Sequence, residues 1–156
     1  MQNYQYETTP YDHQRVALED SWSAEYYALF MEMGTGKTKV AIDTMAILYE
    51  AEKLKAVLII APKGVYDNWV KGEIPIHLPK RITRQVCRWI PSKTKKFEEE
   101  LMDFIVKKDP ILKIFVMNVE AFSTPRGTEA ATAFLYQNPA NMVVVDESTT
   151  IKNRKA

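Results

Sequence analysis

The apolar positions along the chain fall into short runs separated by longer amphipathic segments. The runs are rich in β-branched and other apolar residues and lie at 28–31, 56–61, 113–117 and 141–145, with a weaker one at 84–89. Apolar runs of this length with little polar alternation are typical of strands that are buried on both faces of a sheet. The pattern therefore predicts four buried strands and a fifth, less certain one.

The segments between the runs repeat their apolar residues at helical spacing. They cover 40–48, 65–74, 95–106 and 129–136. A further helix is predicted near the start of the chain, because Thr9 suits an N-cap and Pro10 suits the first helical turn. Alternating strands and helices require right-handed crossovers between parallel strands. We expect one α/β domain over 1–156, with a mostly parallel central sheet and helices on both faces in a three-layer sandwich.

Composition and charge restrict the class of protein. The 156 residues are 46% hydrophobic and 26% charged, and the formal net charge is +1. Bulk charge thus favours neither nucleic acid nor membrane. The single cysteine, Cys87, excludes an internal disulfide and gives no basis for a structural metal site. No run approaches the roughly 20 apolar residues that cross a bilayer, and no secretion signal is evident, so we expect an intracellular protein, cytoplasmic or nuclear, without a membrane partner.

A glycine-rich loop follows the first apolar run and precedes a helical segment. Its sequence, 31–38, is Met-Glu-Met-Gly-Thr-Gly-Lys-Thr. This strand, loop and helix context is that of a polyphosphate-binding loop, in which successive backbone N–H groups face the phosphates. The strict pattern is missed only at Met31, where a glycine is expected. We predict ATP binding with Mg²⁺ by a set of six residues, in which Lys37 reaches the outer phosphates and Thr38 offers its hydroxyl to Mg²⁺. The set comprises Met33, Gly34, Thr35, Gly36, Lys37 and Thr38.

Two adjacent carboxylates, Asp146 and Glu147, end the last apolar run. Ligands of open parallel sheets gather at the carboxyl ends of the strands, so this pair and the glycine loop are expected to meet at one edge. There Asp146 would complete the Mg²⁺ shell opposite Thr38, and Glu147 would orient and deprotonate the water that attacks the γ-phosphate. Further strands between Lys37 and Asp146 favour an ATPase that activates water over a kinase. Lys37 and Glu147 are thus the predicted catalytic residues.

With these segments the chain resembles the superfamily-two helicases, and among them the Swi/Snf-type DNA translocases. Residues 10–14 are similar to the family's adenine-reading segment, 60–64 and 115–122 to two DNA-facing segments, and 145–153 to its acidic segment with a trailing Ile-Lys-Asn. The resemblance implies a RecA-like first lobe, Gln14 as the reader of the adenine edge, and Tyr11 beside the base. It also implies contacts from Lys63 and Gly64 to a nucleic acid, most simply duplex DNA.

The chain departs from the family in two places. Thr149 stands where the family usually has histidine or aspartate, which puts the coupling of nucleotide state to motion in doubt. The sequence also stops at Ala156, soon after the acidic segment, so we expect the second RecA-like lobe to be absent from it. That lobe supplies arginines to the γ-phosphate, worth about 10³–10⁵ in rate. We therefore expect these 156 residues alone to hydrolyse ATP little or not at all.

Two alternatives stay open from the sequence. One is an RNA helicase of the same superfamily, which the Ile-Lys-Asn tail at 151–153 disfavours. The other is a nucleotide-gated interaction module that binds ATP and a protein partner without hydrolysis, for which the near-neutral net charge and Thr149 speak. Stimulation of the full-length protein by duplex DNA, single strands and RNA would separate the two helicases. Loss of its activity in Glu147→Gln with nucleotide binding retained would favour an enzyme over the module.

Overall fold

The computed structural model describes residues 5, 7–8, 28–31, 37–91 and 94–146. These form five strands and a set of helices that alternate along the chain. The strands are β1 (Ala28–Met31), β2 (Ala56–Ala61), β3 (Arg84–Arg88), β4 (Leu112–Asn118) and β5 (Asn141–Asp146). The helices are α1 (Lys37–Glu50), α2 (Tyr66–Asn68), α3 (Ile74–His77), α4 (Lys95–Val106), α5 (Val119–Phe122) and α6 (Pro125–Gln137), with a π-helical segment, Trp69–Glu73, joining α2 to α3. All five predicted strands are confirmed.

The strands form one sheet in the order β1-β5-β2-β4-β3, and every neighbouring pair is parallel. Strand β2 lies at the centre with all six residues buried, and β4 beside it is buried except at Asn118. The prediction of burial on both faces is wrong for β3, whose residues are all half-buried because it ends the strand order. In β5 burial alternates, so that only the face bearing Met142, Val144 and Asp146 is fully covered.

Two apolar cores cover the two faces of the sheet, which confirms the three-layer sandwich. Helix α1 and the segment from Trp69 to Leu78 pack on one face, against alternate residues of β2, β4 and β5. Helices α4 and α6 pack on the other face, where Phe104 stacks on Phe134 at a ring separation of 5.6 Å. The opposite faces follow from the twofold alternation of side chains along each strand.

Local chemistry sets the helix ends. The hydroxyls of Thr94 and Thr124 accept from the backbone N–H three residues on, at Phe97 and Gly127, as N-caps of α4 and α6. Pro125 then occupies the first turn, so α6 begins at 125 rather than at the predicted 129. The predicted N-terminal helix lies outside the described residues. Within the described part of the chain, no helix has the length and apolar content that crossing a membrane requires.

Candidate functional site

The glycine loop and the acidic segment leave the same edge of the sheet. Strands β1 and β5 are parallel neighbours, and Met31 is paired in register with Asp146. The chain leaves β1 at Met31 and re-enters a helix at Lys37. The strands that lead into the two segments therefore end side by side, as the predicted convergence requires. Residues 32–36, with Met33, Gly34, Thr35 and Gly36, lie outside the described residues, as does Glu147.

Helix α1 carries the next part of the site. Lys37 is its first residue, and Thr38 lies half-buried in the first turn. Lys39, the next residue, forms a buried ion pair with Asp43 one turn further along, with a 2.8 Å separation of Nζ and Oδ2, and their exposed fractions are 5% and 0%. A buried pair of this kind costs desolvation and needs good geometry, which the i,i+4 spacing on a helix supplies. This pair was not among the predicted site residues, although its spacing could have been noticed.

Asp146 is the best-defined polar group of the site. It is 4% exposed, and its Oδ2 accepts a hydrogen bond of 3.0 Å from Nε1 of Trp69. Burial raises the pKa of the Asp146 carboxyl above its ordinary value, and the Trp69 hydrogen bond acts in the opposite direction. Among the described residues no hydrogen bond reaches its Oδ1. A buried carboxylate with one oxygen held and the other available fits the hard oxygen ligand that Mg²⁺ prefers.

Two described residues that precede the predicted base-reading segment, Gln5 and Thr8, are hydrogen-bonded to the region around α3. Oγ1 of Thr8 lies 2.7 Å from Nδ1 of His77, at the end of α3, and Nε2 of His77 lies 3.2 Å from Glu73. The guanidinium of Arg81 donates to the carbonyl of Gln5 at 3.0 Å. The chain just before Tyr11 and Gln14 is thus fixed against the α3 region. Tyr11 and Gln14 themselves lie outside the described residues.

A groove of about 570 Å³ opens at the same edge of the sheet, beyond the ends of β2, β3 and β4. We call it the edge groove. Lys63 lies on the loop after β2, Tyr66 begins α2, Trp89 directly follows β3, and Asn118 ends β4. The guanidinium of Arg126 lies 5.0 Å from the ring of Trp89. The edge groove brings together the ends of the two segments predicted to face DNA. The remaining lining residues are Pro91, Glu120, Ala121, Thr124 and Pro125.

Lys63 and Gly64 are both exposed on the loop that enters this groove. The N–H groups of Val65 and Tyr66 donate to the carbonyl of Pro62, which closes a tight turn around them. A Cβ added at Gly64 would meet nothing within 4 Å. The fold itself therefore does not demand glycine there, whereas close approach of an external backbone would.

A family model described as the SNF2-related domain matches residues 23–156. The chain belongs to this family. The match confirms the resemblance to Swi/Snf-type proteins drawn from the sequence, since it includes the glycine loop, the Lys63 loop and the acidic segment.

This SNF2-related domain is similar to Protein CHROMATIN REMODELING 24 of Arabidopsis thaliana, with 26% identity over 152 residues. The alignment covers 94% of the chain and 14% of that relative. It is also similar to a solved structure of the Sulfolobus solfataricus SWI2/SNF2 ATPase core in complex with dsDNA, with a TM-score of 0.60 and 14% identity, over 94% of the chain and 33% of that structure's chain. At such identity the likeness shows the fold alone, and the predicted RecA-like α/β architecture is confirmed.

In this SNF2-related domain the sequence did not reveal what Trp69 does. Trp69 and Trp89 are both buried, at 1% and 3% exposed, as large aromatic side chains usually are. The bond from the Trp69 indole to Asp146 joins residues 77 positions apart, and no local pattern could indicate it.

Proposed function

We propose that this domain is the ATP-binding lobe of an ATP-dependent DNA translocase or helicase, which couples ATP hydrolysis to movement on DNA in the full-length protein. The observation that carries this is the parallel register of Met31 and Asp146, which sets the strand of the phosphate loop beside the strand of the acidic pair. Family membership supports it. Because the chain spans 14% of the curated relative and 33% of the solved core, the activity belongs to a larger assembly of domains.

The roles of the site residues follow from the chemistry of the glycine loop at 31–38 and of the two carboxylates, Asp146 and Glu147. Lys37 neutralises the outer phosphates, and backbone N–H groups from Met33 to Gly36 hold them. Thr38 and Asp146 hold Mg²⁺, which on binding would neutralise charge on the β- and γ-phosphates. Glu147 orients and deprotonates the attacking water. Gln14 reads the adenine edge, with Tyr11 beside the base.

Duplex DNA is the proposed track, and the edge groove is its contact surface on this lobe. The exposed Lys63 and the open space at Gly64 support it, because a phosphate backbone needs a cation and close access. The solved relative that shares this fold is itself a complex with dsDNA. The name of the plant relative is that of a chromatin remodelling protein, which supports an intracellular and, in a eukaryote, nuclear location.

Nucleotide binding is tested on the 156-residue chain by calorimetry with a non-hydrolysable ATP analogue and Mg²⁺. Lys37→Ala removes a charge-assisted contact and should weaken binding about tenfold or more. Glu147→Gln is the matched control, because it leaves the phosphate contacts in place and should bind normally. Unchanged affinity in Lys37→Ala would refute the phosphate-loop assignment.

DNA binding is tested by fluorescence anisotropy with labelled duplex, single-stranded DNA and RNA over a range of salt. Lys63→Ala should weaken duplex binding for every sequence and reduce the salt slope by about 0.9. Preference for RNA would favour the RNA helicase instead. No binding to any nucleic acid, with nucleotide binding retained, would favour the interaction module.

Hydrolysis is expected only in the full-length protein. We propose that the isolated chain turns over ATP little or not at all, with or without DNA, because in this family arginines of a second lobe reach the γ-phosphate. Phosphate release by the chain alone measures this. Robust DNA-stimulated release by the 156 residues would contradict it.

A further inference from the structure

The hydrogen bond between Trp69 and Asp146 joins the segment that follows the Lys63–Gly64 loop to the last residue of β5. Both side chains are buried, at 1% and 4% exposed, and Nε1 lies 3.0 Å from Oδ2. An indole N–H can only donate, and a buried one requires an acceptor. Here the acceptor is the carboxylate that we assign to Mg²⁺. With Oδ2 held by the indole, Oδ1 receives no hydrogen bond from the described residues, and it is the oxygen that we assign to the cation.

Trp69 is also joined through backbone hydrogen bonds to the loop of Lys63 and Gly64. Val65 N–H donates to the Pro62 carbonyl at 2.9 Å, and Trp69 N–H donates to the Val65 carbonyl at 3.3 Å. Only one helical turn, α2, separates the exposed loop from the indole. A displacement of the loop would therefore move the Trp69 backbone with it.

The backbone around Trp69 has an unusual geometry. Trp69 begins the π-helical segment, and the N–H of Ile74 donates to the Trp69 carbonyl, five residues back. π-helical turns are rare and frequent at functional sites. The wider turn interrupts what would otherwise be one regular helix from Tyr66 to His77. It changes the direction in which a side chain at the junction leaves the helix, and the indole at this junction reaches β5.

We propose that Trp69 is a positioning residue that holds the Asp146 carboxylate in the rotamer that binds Mg²⁺, and that it links this rotamer to the Lys63–Gly64 loop. The proposal rests on the proposed function for the identity of the two ligands. Its consequence is reciprocal: duplex DNA on the loop should change the affinity for Mg²⁺–nucleotide, and Mg²⁺–nucleotide should change the affinity for DNA by the same factor.

The alternative is that Trp69 only fills the core. Trp69 belongs to the apolar cluster under α1, so a packing role alone would also explain its burial. The two explanations differ in the indole N–H. Trp69→Phe keeps an aromatic ring in the cluster and removes the donor to Asp146. Phe134→Leu is the matched packing control, because Phe134 is fully buried in the core on the opposite face.

The test measures affinity for a non-hydrolysable ATP analogue by calorimetry, in EDTA and in Mg²⁺, with and without duplex DNA. In Trp69→Phe we expect affinity in EDTA to stay within about twofold, whereas the gain from Mg²⁺ should fall about tenfold, as loss of a hydrogen bond to a charged group implies. The effect of DNA on nucleotide affinity should fall with it. Phe134→Leu, which lowers stability alone, should leave both gains unchanged.

Lys37→Ala distinguishes a failure of the proposed function from a failure of the positioning role proposed for Trp69. If Lys37→Ala binds the analogue normally, the proposed function is wrong. If Lys37→Ala loses binding while Trp69→Phe keeps the full Mg²⁺ gain and the full DNA effect, the proposed function stands and the positioning role is refuted.

Should Trp69→Phe fail to fold, the unaltered chain gives the same answer by NMR. Its three tryptophans give three indole N–H resonances, assigned with Trp22→Phe and Trp89→Phe. We expect the Trp69 resonance to shift when Mg²⁺ is added to the nucleotide-bound chain, and again with duplex DNA. A resonance that moves with neither ligand overturns the proposal.

Discussion

Lys113 offers a quantitative test of how the fold treats a buried charge. Its side chain is 3% exposed beneath α4, and its Nζ donates to the carbonyls of Phe104, Ile105 and Lys107 at 3.0, 3.0 and 2.7 Å. These carbonyls end helix α4, where a cation also meets the negative end of the helix dipole. Burial, followed by repulsion from Lys108 and Lys107, lowers the pKa of Lys113 from 10.5 to about 8.

The perturbation is Lys113→Met, which keeps the length of the side chain and removes the donors. Methionine has no donor, so the carbonyls of Phe104, Ile105 and Lys107 lose a buried partner, and leaving such an acceptor unsatisfied costs about 1–3 kcal/mol. We expect the free energy of unfolding at pH 7 to fall by about 2 kcal/mol or more. Urea unfolding followed by circular dichroism measures this.

The pH dependence of the free energy of unfolding gives a second, independent test. Between pH 8 and 10.5 the unfolded chain binds more protons at Lys113 than the folded chain does, so the stability of the unaltered protein should rise with pH. This stabilising contribution is fully present above the pKa that Lys113 has in the unfolded chain. It is lost as the pH falls through the pKa that Lys113 has in the folded chain. From pH 7 to 9.5 the difference between the unaltered chain and Lys113→Met should widen by about 2 kcal/mol. A difference that stays constant or narrows over this range would refute the reasoning.

Three further predictions concern single sites. Gly127→Ala should destabilise the chain by about 3 kcal/mol or more, because the new Cβ would lie 1.9 Å from the Ala121 carbonyl oxygen. Gly64→Ala is the control, because the space around Gly64 is open, and this variant should unfold like the unaltered chain. Glu52→Gly should raise the free energy of unfolding by about 0.5–1 kcal/mol, measured in urea, because Glu52 lies in the turn just after α1 with a positive φ of 62° that glycine adopts without strain. Burial, then the charge of Glu100, raises the pKa of the Cys87 thiol from 9.0 to about 11. Cys87 should therefore react with a disulfide reagent at pH 8 about a hundredfold more slowly than an ordinary thiol, and its reaction should become faster toward pH 11. A fast reaction at pH 8 would contradict this.

The parts of the fold that depend on local pattern could be predicted from the sequence. The apolar runs located all five strands, and helix α4 was predicted with the bounds it has, because its apolar residues repeat regularly at helical spacing. The start of α6 was missed because Gly127 and polar residues conceal its first turn. The crossover rule was enough to predict that neighbouring strands are parallel. The position of β5 between β1 and β2 is known only from the structure.

The candidate site divides in the same way. The glycine loop and the two acids have short patterns set by the chemistry of the ligand proposed for them, so they could be named as candidates from the sequence. The Trp69–Asp146 bond and the three carbonyls around Lys113 depend on which distant segments pack together, and periodicity carries no such information. Even the i,i+4 pair of Lys39 and Asp43 has an ordinary surface spacing, and only burial makes it unusual.

The segment from Pro62 to His77 connects three regions that the sequence treated separately. Its first turn presents the exposed Lys63, its middle donates Trp69 to Asp146, and its end holds Thr8 just ahead of the predicted base reader. In the sequence these regions lie at opposite ends of the chain, so a single short segment in contact with all of them constrains their relative positions. If DNA displaces this segment, we expect the hydrogen bonds at its middle and at its end to respond, which would produce the proposed coupling between nucleic acid and nucleotide within this lobe.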